Sequence, residues 1–227
     1  VQPAFTSNRQ VIVVFNGEIF NYQILRDELR FRGVDFETGS EVETLLQLYL
    51  VHGQCFVEKI KGQFAIAIWD GRNESLSLYR DRFGIRPLFW SQLNKGIIFG
   101  SEAKTILSHK SIDTILSHDS IIQTAQFWTN VGDQSAFEGI KQLPPAHFLT
   151  YKKGKISIEK YWQWRFPNEV EPLILSSDEE YFEAFHSEMH AAVKRQSMSD
   201  VPIASYLSGG IDSTIIAGTL QQQLPEG

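Results

Sequence analysis

The sequence is poor in cysteine and in positive charge. It has one cysteine, Cys55, and 21 Lys and Arg against 27 Asp and Glu, for a formal net charge of −6. A single thiol makes no internal disulfide, so nothing points to an oxidising compartment and a reduced cytoplasm is the expectation. Clustered Lys and Arg, the electrostatic footprint of a nucleic-acid binder, are missing. No apolar run approaches the ~20 residues of a membrane span, and residues 1–10, VQPAFTSNRQ, have neither the charged head nor the apolar body of a signal peptide. The six histidines are scattered without metal-ligand spacing, so no zinc site is assigned. With nucleic acid and membrane set aside, small-molecule chemistry is the expectation.

What is present is enough apolar material for one sizeable core and part of a second: 42% of the 227 residues are hydrophobic and 12% aromatic. The first residue is Val, and the last helical pattern is cut short by LPEG. Both ends are therefore expected to belong to a longer chain.

Residues 11–15, VIVVF, are a β-branched run suited to a buried strand, followed by NGEIFN as a turn. Ile24, Leu25 and Leu29 recur at helical spacing from Tyr22 to Arg32, and Gly33 supplies a stop. Ser40 is an N-cap for a second helix, Glu41 to His52, closed by Gly53. Strands are predicted at 62–70, 75–80, 87–90 and 96–101 between turn-rich segments. Short helices follow at 101–107 and 119–127, then a hairpin turned at Lys153-Gly154. Helices first and antiparallel strands after is α+β order.

Composition changes at 165–180, so the chain divides into a domain over 1–164, a linker over 165–176 and the start of a second, α/β domain over 177–227. Ser177 and Glu180 form a capping box, and Phe182, Phe185, Met189, Ala192 and Val193 line one helical face read as core. IASYL (203–207) is expected to be a strand.

That strand runs into SGGIDS (208–213) and an apolar helix. A glycine-rich turn between strand and helix converges backbone N–H groups and a helix N-terminus on an anion. Gly209 and Gly210 let the backbone approach, Ser208 and Ser213 offer hydroxyls, and Asp212 can hold a divalent cation. The ordinary alternative is a tight turn with Ser208 or Asp212 as a helix cap. NGE (16–18) likewise has an ordinary alternative, since Asn-Gly is a strong hairpin turn. RDRFGIRP (80–87) reads as a turn in which Asp81 pairs an arginine, and Cys55 as a small core residue.

SGGIDS resembles the pyrophosphate loop of the ATP pyrophosphatases. VVFNGEIFNY, TGSEVETLL, RDRFGIRPL and GSEAKTIL, in this order and at these separations, resemble the class II glutamine amidotransferase domain joined to an asparagine synthetase domain. The resemblance covers essentially the whole chain. It implies an N-terminal-nucleophile fold of antiparallel sheets and helices that releases ammonia from glutamine, and a second domain that uses ATP to adenylate aspartate for attack by that ammonia.

Carried over, it makes the Asn16 side-chain amide and the Gly17 N–H the oxyanion hole, with Glu18 and Glu41 binding glutamine. Glu41 stands where the family usually has Asp to hold the α-amino group, with Glu43 as the nearby alternative. Leu207, Ser208, Gly209, Gly210, Asp212 and Ser213 would bind ATP and its pyrophosphate, with Mg held by Asp212 through the nucleotide. The implied nucleophile is a cysteine upstream of Val1. A homodimer is an assembly the resemblance allows. The alternative within the same architecture is an amidotransferase for another acceptor, of the polysaccharide-sugar or β-lactam type.

Overall fold

The structure is a computed structural model that describes residues 2–167, 174–199 and 201–224. The chain divides into two compact units, Val1–Gln163 and Trp164–Gly227. Among the described residues no helix is long and apolar enough to cross a membrane.

The first unit begins with β1 (Ala4–Phe5) and β2 (Val11–Ile19), then α1 (Tyr22–Phe31) and α2 (Glu41–His52). Ser40 caps α2 by accepting a hydrogen bond from Glu43 N, and Gly53 ends it at φ +59°, a conformation glycine adopts without penalty. A 3-10 turn at Gly53–Cys55 leads into α3 (Phe56–Lys59). The strands β3 (Gly62–Asp70), β4 (Ser75–Arg80), β5 (Phe89–Leu93) and β6 (Gly96–Gly100) follow. Next come α4 (Ala103–Leu107), α5 (His118–Phe127), β7 (Lys141–Gln142), β8 (His147–Lys152) and β9 (Lys155–Lys160).

Two antiparallel sheets result, one of six strands in the order β1-β2-β3-β4-β8-β9 and one of three in the order β6-β5-β7. β3 explains the layering, because its side chains alternate between faces. Phe64, Ile66 and Ile68 join the core formed with Leu25, Leu29, Leu45, Leu48 and Phe56 of the helices. On the opposite face Ala65 and Ala67 join Leu78, Leu88, Trp90 and Leu149, where small residues admit the bulky ring of β5. The six-stranded sheet is thus packed on both faces, which accounts for the nearly continuous apolar run of β3. Each large side chain buried this way is worth about 1.5–3 kcal/mol.

Three expectations change. NGEI is no turn: β2 continues through Asn16, Gly17 and Glu18 to Ile19, paired with β3 from Ala65 to Gly62. Cys55 is exposed on the 3-10 turn rather than buried in the core. Asp81 is fully buried, but its carboxylate accepts from the backbone amides of Phe64, Phe83, Ile85 and Arg86 at 2.9–3.2 Å instead of pairing an arginine. Its neighbour Arg80 donates to the carbonyls of Gly84, Arg86 and Leu143, so the two side chains together hold the 80–87 loop by its backbone.

In the second unit α6 (Asp178–Gln196) starts at the expected cap, Ser177, whose Oγ accepts from Glu180 N; the Glu180 carboxylate accepts from Ser176 N, one residue before the Ser177 N–H that a full capping box would use. α7 (Ile211–Gln223) follows the glycine turn. Residues 203–207 form no strand, since a strand needs a ladder partner and none of the unit's described residues supplies one. Phe182 and Phe185, read as core, are 68% and 53% exposed. Met189 and Val193, farther along α6, line a cavity of about 260 Å³ with Ile203, Ile216 and Leu220.

Candidate active site

The end of β2 carries an unusual backbone. Gly17 has φ +151°, and a Cβ there would collide with the carbonyl of Gln63 and stand 2.7 Å from Phe64 Cα. Gly62, opposite Ile19, is equally tight, its missing Cβ pointing at the Glu18 carbonyl. Only glycine at both positions lets β2 and β3 run this close, so composition that looks like a hairpin signal serves a close strand approach.

Ladder parity sets the direction of the backbone groups. In an antiparallel pair the N–H and C=O of one residue point to the same side, and residues alternate sides along the strand. Phe64, the partner of Gly17, gives its N–H and C=O to Asp81, away from β2. Gly17 therefore directs its N–H away from β3, as its neighbours two residues on either side do. Phe15 N donates to Gln2 Oε1 at 2.7 Å, and Ile19 N donates to Glu41 Oε1 at 3.4 Å. The Gly17 N–H lies between these two occupied positions on the same edge of the strand.

Asn16 and Glu18 share one face of β2 by the period of two. The Asn16 side chain is exposed, and its Nδ2 donates to Ser101 Oγ at 2.9 Å across 85 residues of sequence. Ser101 follows β6 directly. Gly100 before it has Thr105 so close that a Cβ would meet Thr105 Cβ at 3.1 Å, and Ile106 of α4 is fully buried. The GSEAKT segment is thereby folded back on itself, which holds Ser101 against the end of β2. Ser101 was absent from the sequence candidates; its only signal was its place in the GSEAKTIL segment.

Glu41 and Glu43 separate into different roles. Glu43 accepts from Glu37 N at 2.6 Å and Thr38 N at 2.8 Å. Burial works against its charge, but hydrogen bonds from Thr38 and Glu37 and the charge of Arg26 outweigh it and hold its pKa below the ordinary value. It is occupied in closing the loop before α2. Glu41 is half-buried, and burial, with the nearby Glu18 carboxylate adding repulsion, pushes its pKa from 4.5 up to about 7. Among the described residues no ion pair reaches Glu18 or Glu41. Two neighbouring carboxylates without a cation form a place where a bound ammonium group would be stabilised.

In the second unit Ser208, Gly209, Gly210, Ile211 and Asp212 are exposed and Ser213 is partly buried. Gly209 has φ +85°, and Gly210 is the N-cap of α7 without any side-chain cap. The alternative of Ser208 or Asp212 as the cap is therefore not what the turn shows. Ser208 Oγ and Ser213 Oγ are 2.9 Å apart, and Ser208 N donates to Ser213 Oγ, so the two hydroxyls brace the turn. Asp212 is in the first turn of α7, and Leu207 precedes the turn, 65% exposed.

The chain belongs to the glutamine amidotransferase domain family, whose model matches residues 1–162. A second family model, asparagine synthase, matches residues 184–227. Among curated relatives, asparagine synthetase [glutamine-hydrolyzing] 3 of Bacillus subtilis is 35% identical over 205 residues, 90% of this chain and 33% of that protein. Amidase chyE of Penicillium rubens is 28% identical over 229 residues, 100% of this chain and 33% of that protein. The chain thus spans about a third of the length of these relatives. Glutamine phosphoribosylpyrophosphate amidotransferase from Bacillus subtilis has a similar fold, with a TM-score of 0.51 at 14% identity, covering 98% of this chain and 47% of that one.

Proposed function

We propose that the full-length protein hydrolyses glutamine at the end of β2 and uses the ammonia, with ATP, to amidate an acceptor held by its second domain. The observation that carries this reading is the arrangement on β2: Gly17 N–H turned away from the ladder, the Asn16 amide beside it, and the Glu18–Glu41 carboxylates close by. In the reaction the nucleophile would be a cysteine outside residues 1–227; its thiol gives its proton to its own α-amino group, and the thiolate adds to the glutamine side-chain carbonyl. The carbonyl π pair moves to oxygen, and Asn16 Nδ2 and Gly17 N donate to that oxyanion. Collapse breaks the C–N bond and releases ammonia, the leaving nitrogen taking back the thiol proton from the α-ammonium group of the nucleophile, and leaves a thioester that water hydrolyses to glutamate. Such donors act where charge develops and are each worth about 2.7–4 kcal/mol at the transition state. Glu41 receives the α-ammonium of glutamine, and Glu18 lines the same pocket. Cys55, on the 3-10 turn after α2, has no part in this chemistry.

The acceptor-activating half of the reading rests on residues 207–213. The turn fits a pyrophosphate: the helix N-terminus carries no side-chain cap, Gly209 occupies a positive φ, and two hydroxyls stand beside it. Leu207 to Gly210 with Ser213 would hold the phosphates of ATP, and Asp212 would hold the Mg that accompanies them. Among the described residues no group of three or more His, Cys, Asp and Glu is placed to hold a metal ion. Mg would screen the phosphate charge as pyrophosphate leaves.

Aspartate is the acceptor favoured by the asparagine synthetases among the relatives, which makes asparagine the product. A second reading, another acceptor in the same architecture, is favoured by the amidases that match the whole chain at 28% and 29% identity. The test is pyrophosphate release from ATP by the full-length gene product, with glutamine present and candidate acceptors supplied singly. Release that depends on aspartate, with asparagine formed, is expected. Release that ignores aspartate and responds to a different carboxylic or sugar acceptor would move the assignment to the second reading.

A further inference from the structure

We infer that Ser101 is a positioning residue for the glutaminase reaction: its hydroxyl locks the Asn16 carboxamide in the rotamer that presents N–H rather than C=O to the oxyanion. The inference rests on the oxyanion reading of Asn16.

The backbone of Asn16 is held by the β2–β3 ladder. The side chain is exposed, so its terminal torsion is left to solvent unless something fixes it. That torsion decides the chemistry, because a half-turn exchanges an N–H donor for a carbonyl acceptor, which would repel a forming oxyanion. Nδ2 carries two hydrogens. One goes to Ser101 Oγ at 2.9 Å, and the other remains for the substrate. Ser101 can serve as a fixed anchor because it sits at the end of β6, in the other sheet, where the close contact of Gly100 with Thr105 and the buried Ile106 hold the segment. The GSEAK segment thereby acquires a role: it brings a hydroxyl from the second sheet to orient a donor on the first.

The experiment uses the full-length gene product with Ser101→Thr and Ser101→Val, which are nearly isosteric and differ in the hydroxyl, and measures kcat and KM for ammonia release from glutamine. Ser101→Thr is expected within about threefold of the parent kcat. Ser101→Val is expected to lose about tenfold in kcat, with KM changed less than about twofold. Ser101→Ala, which only removes the oxygen, gives the same loss if branched side chains fit poorly. In an Asn16→Ala background the Thr and Val variants should be equal, since there is no amide left to orient. Equal kcat for Thr and Val beside an intact Asn16, or an undiminished Val deficit after Asn16→Ala, would overturn the role of Ser101 while leaving the oxyanion hole standing. An Asn16→Ala variant with unchanged kcat would instead overturn the oxyanion reading and this inference with it.

Discussion

Glu41 is a carboxylate whose ionisation should cost folding stability and be recovered on binding glutamine. Burial and the Glu18 charge raise its pKa from 4.5 to about 7. Between those pH values the folded chain binds more protons than the unfolded chain. The stability associated with Glu41 is therefore greatest below pH ~4.5 and is lost as pH rises to ~7. For a fully enclosed group a rise of this size would correspond to ~3.4 kcal/mol. Glu41 is only half-buried, so water screens much of that, and ~1–2 kcal/mol is the expected cost of the ionised form at pH 8. Glu41→Gln keeps an oxygen to accept from Ile19 N but removes the charge. At pH 8 it should be more stable than the parent by that amount, a shift of about 0.5 M in the urea midpoint of the unit holding Trp69 and Trp90, followed by fluorescence. At pH 5 the difference should nearly vanish, because the parent is then protonated at this site. Glutamine affinity of the full-length gene product should rise as pH increases through ~7, and Glu41→Gln should weaken it. A variant less stable than the parent at pH 8, or a difference independent of pH, would refute the account of this site.

Three further variants test other parts of the chain. Gly17→Ala forces a Cβ onto the Gln63 carbonyl at a φ that alanine rarely adopts, so it should lose at least ~2 kcal/mol of stability in thermal or urea unfolding. Gly39→Ala, with open space around it, should stay within ~0.5 kcal/mol. Asp212→Asn in the full-length gene product should reduce acceptor-dependent pyrophosphate release and leave glutamine hydrolysis in place, each measured against the parent. Unchanged pyrophosphate release would reduce the SGGIDS turn to a helix start.

The parts of the fold that were legible in the sequence are those governed by local chemistry. Ser40 and Gly53 bracket α2 at both ends, and the turn residues at 71–74 bracket β3 and β4, so these elements coincide with their prediction. What the sequence concealed depends on partners distant along the chain. Asn16-Gly17 has the composition of a turn, and only the presence of β3, with Gly62 opposite Ile19, makes it strand. The Asp81 carboxylate is buried among four amides, one of them 17 residues away, where a pairing with an adjacent arginine was the local expectation. Ser101 reaches Asn16 across 85 residues, a contact that no periodicity announces. Phe182 and Phe185 fit a helical stripe, yet a stripe is buried only if another layer faces it, and the described residues of that unit provide none for these two. Glu41 and Glu43 both stand in the first turn of α2, and their different partners, Ile19 N for Glu41 and Glu37 N for Glu43, depend on the tertiary structure and were not legible in the sequence.

The most direct test of the account is the rate of glutamine hydrolysis by the Asn16→Ala variant of the full-length gene product. Removing one oxyanion donor should lower kcat about 10²–10³-fold with KM little changed, while synthesis driven by added ammonia continues at the parent rate. A change confined to KM, or no change at all, would contradict the assignment of Asn16 and Gly17 as the oxyanion hole.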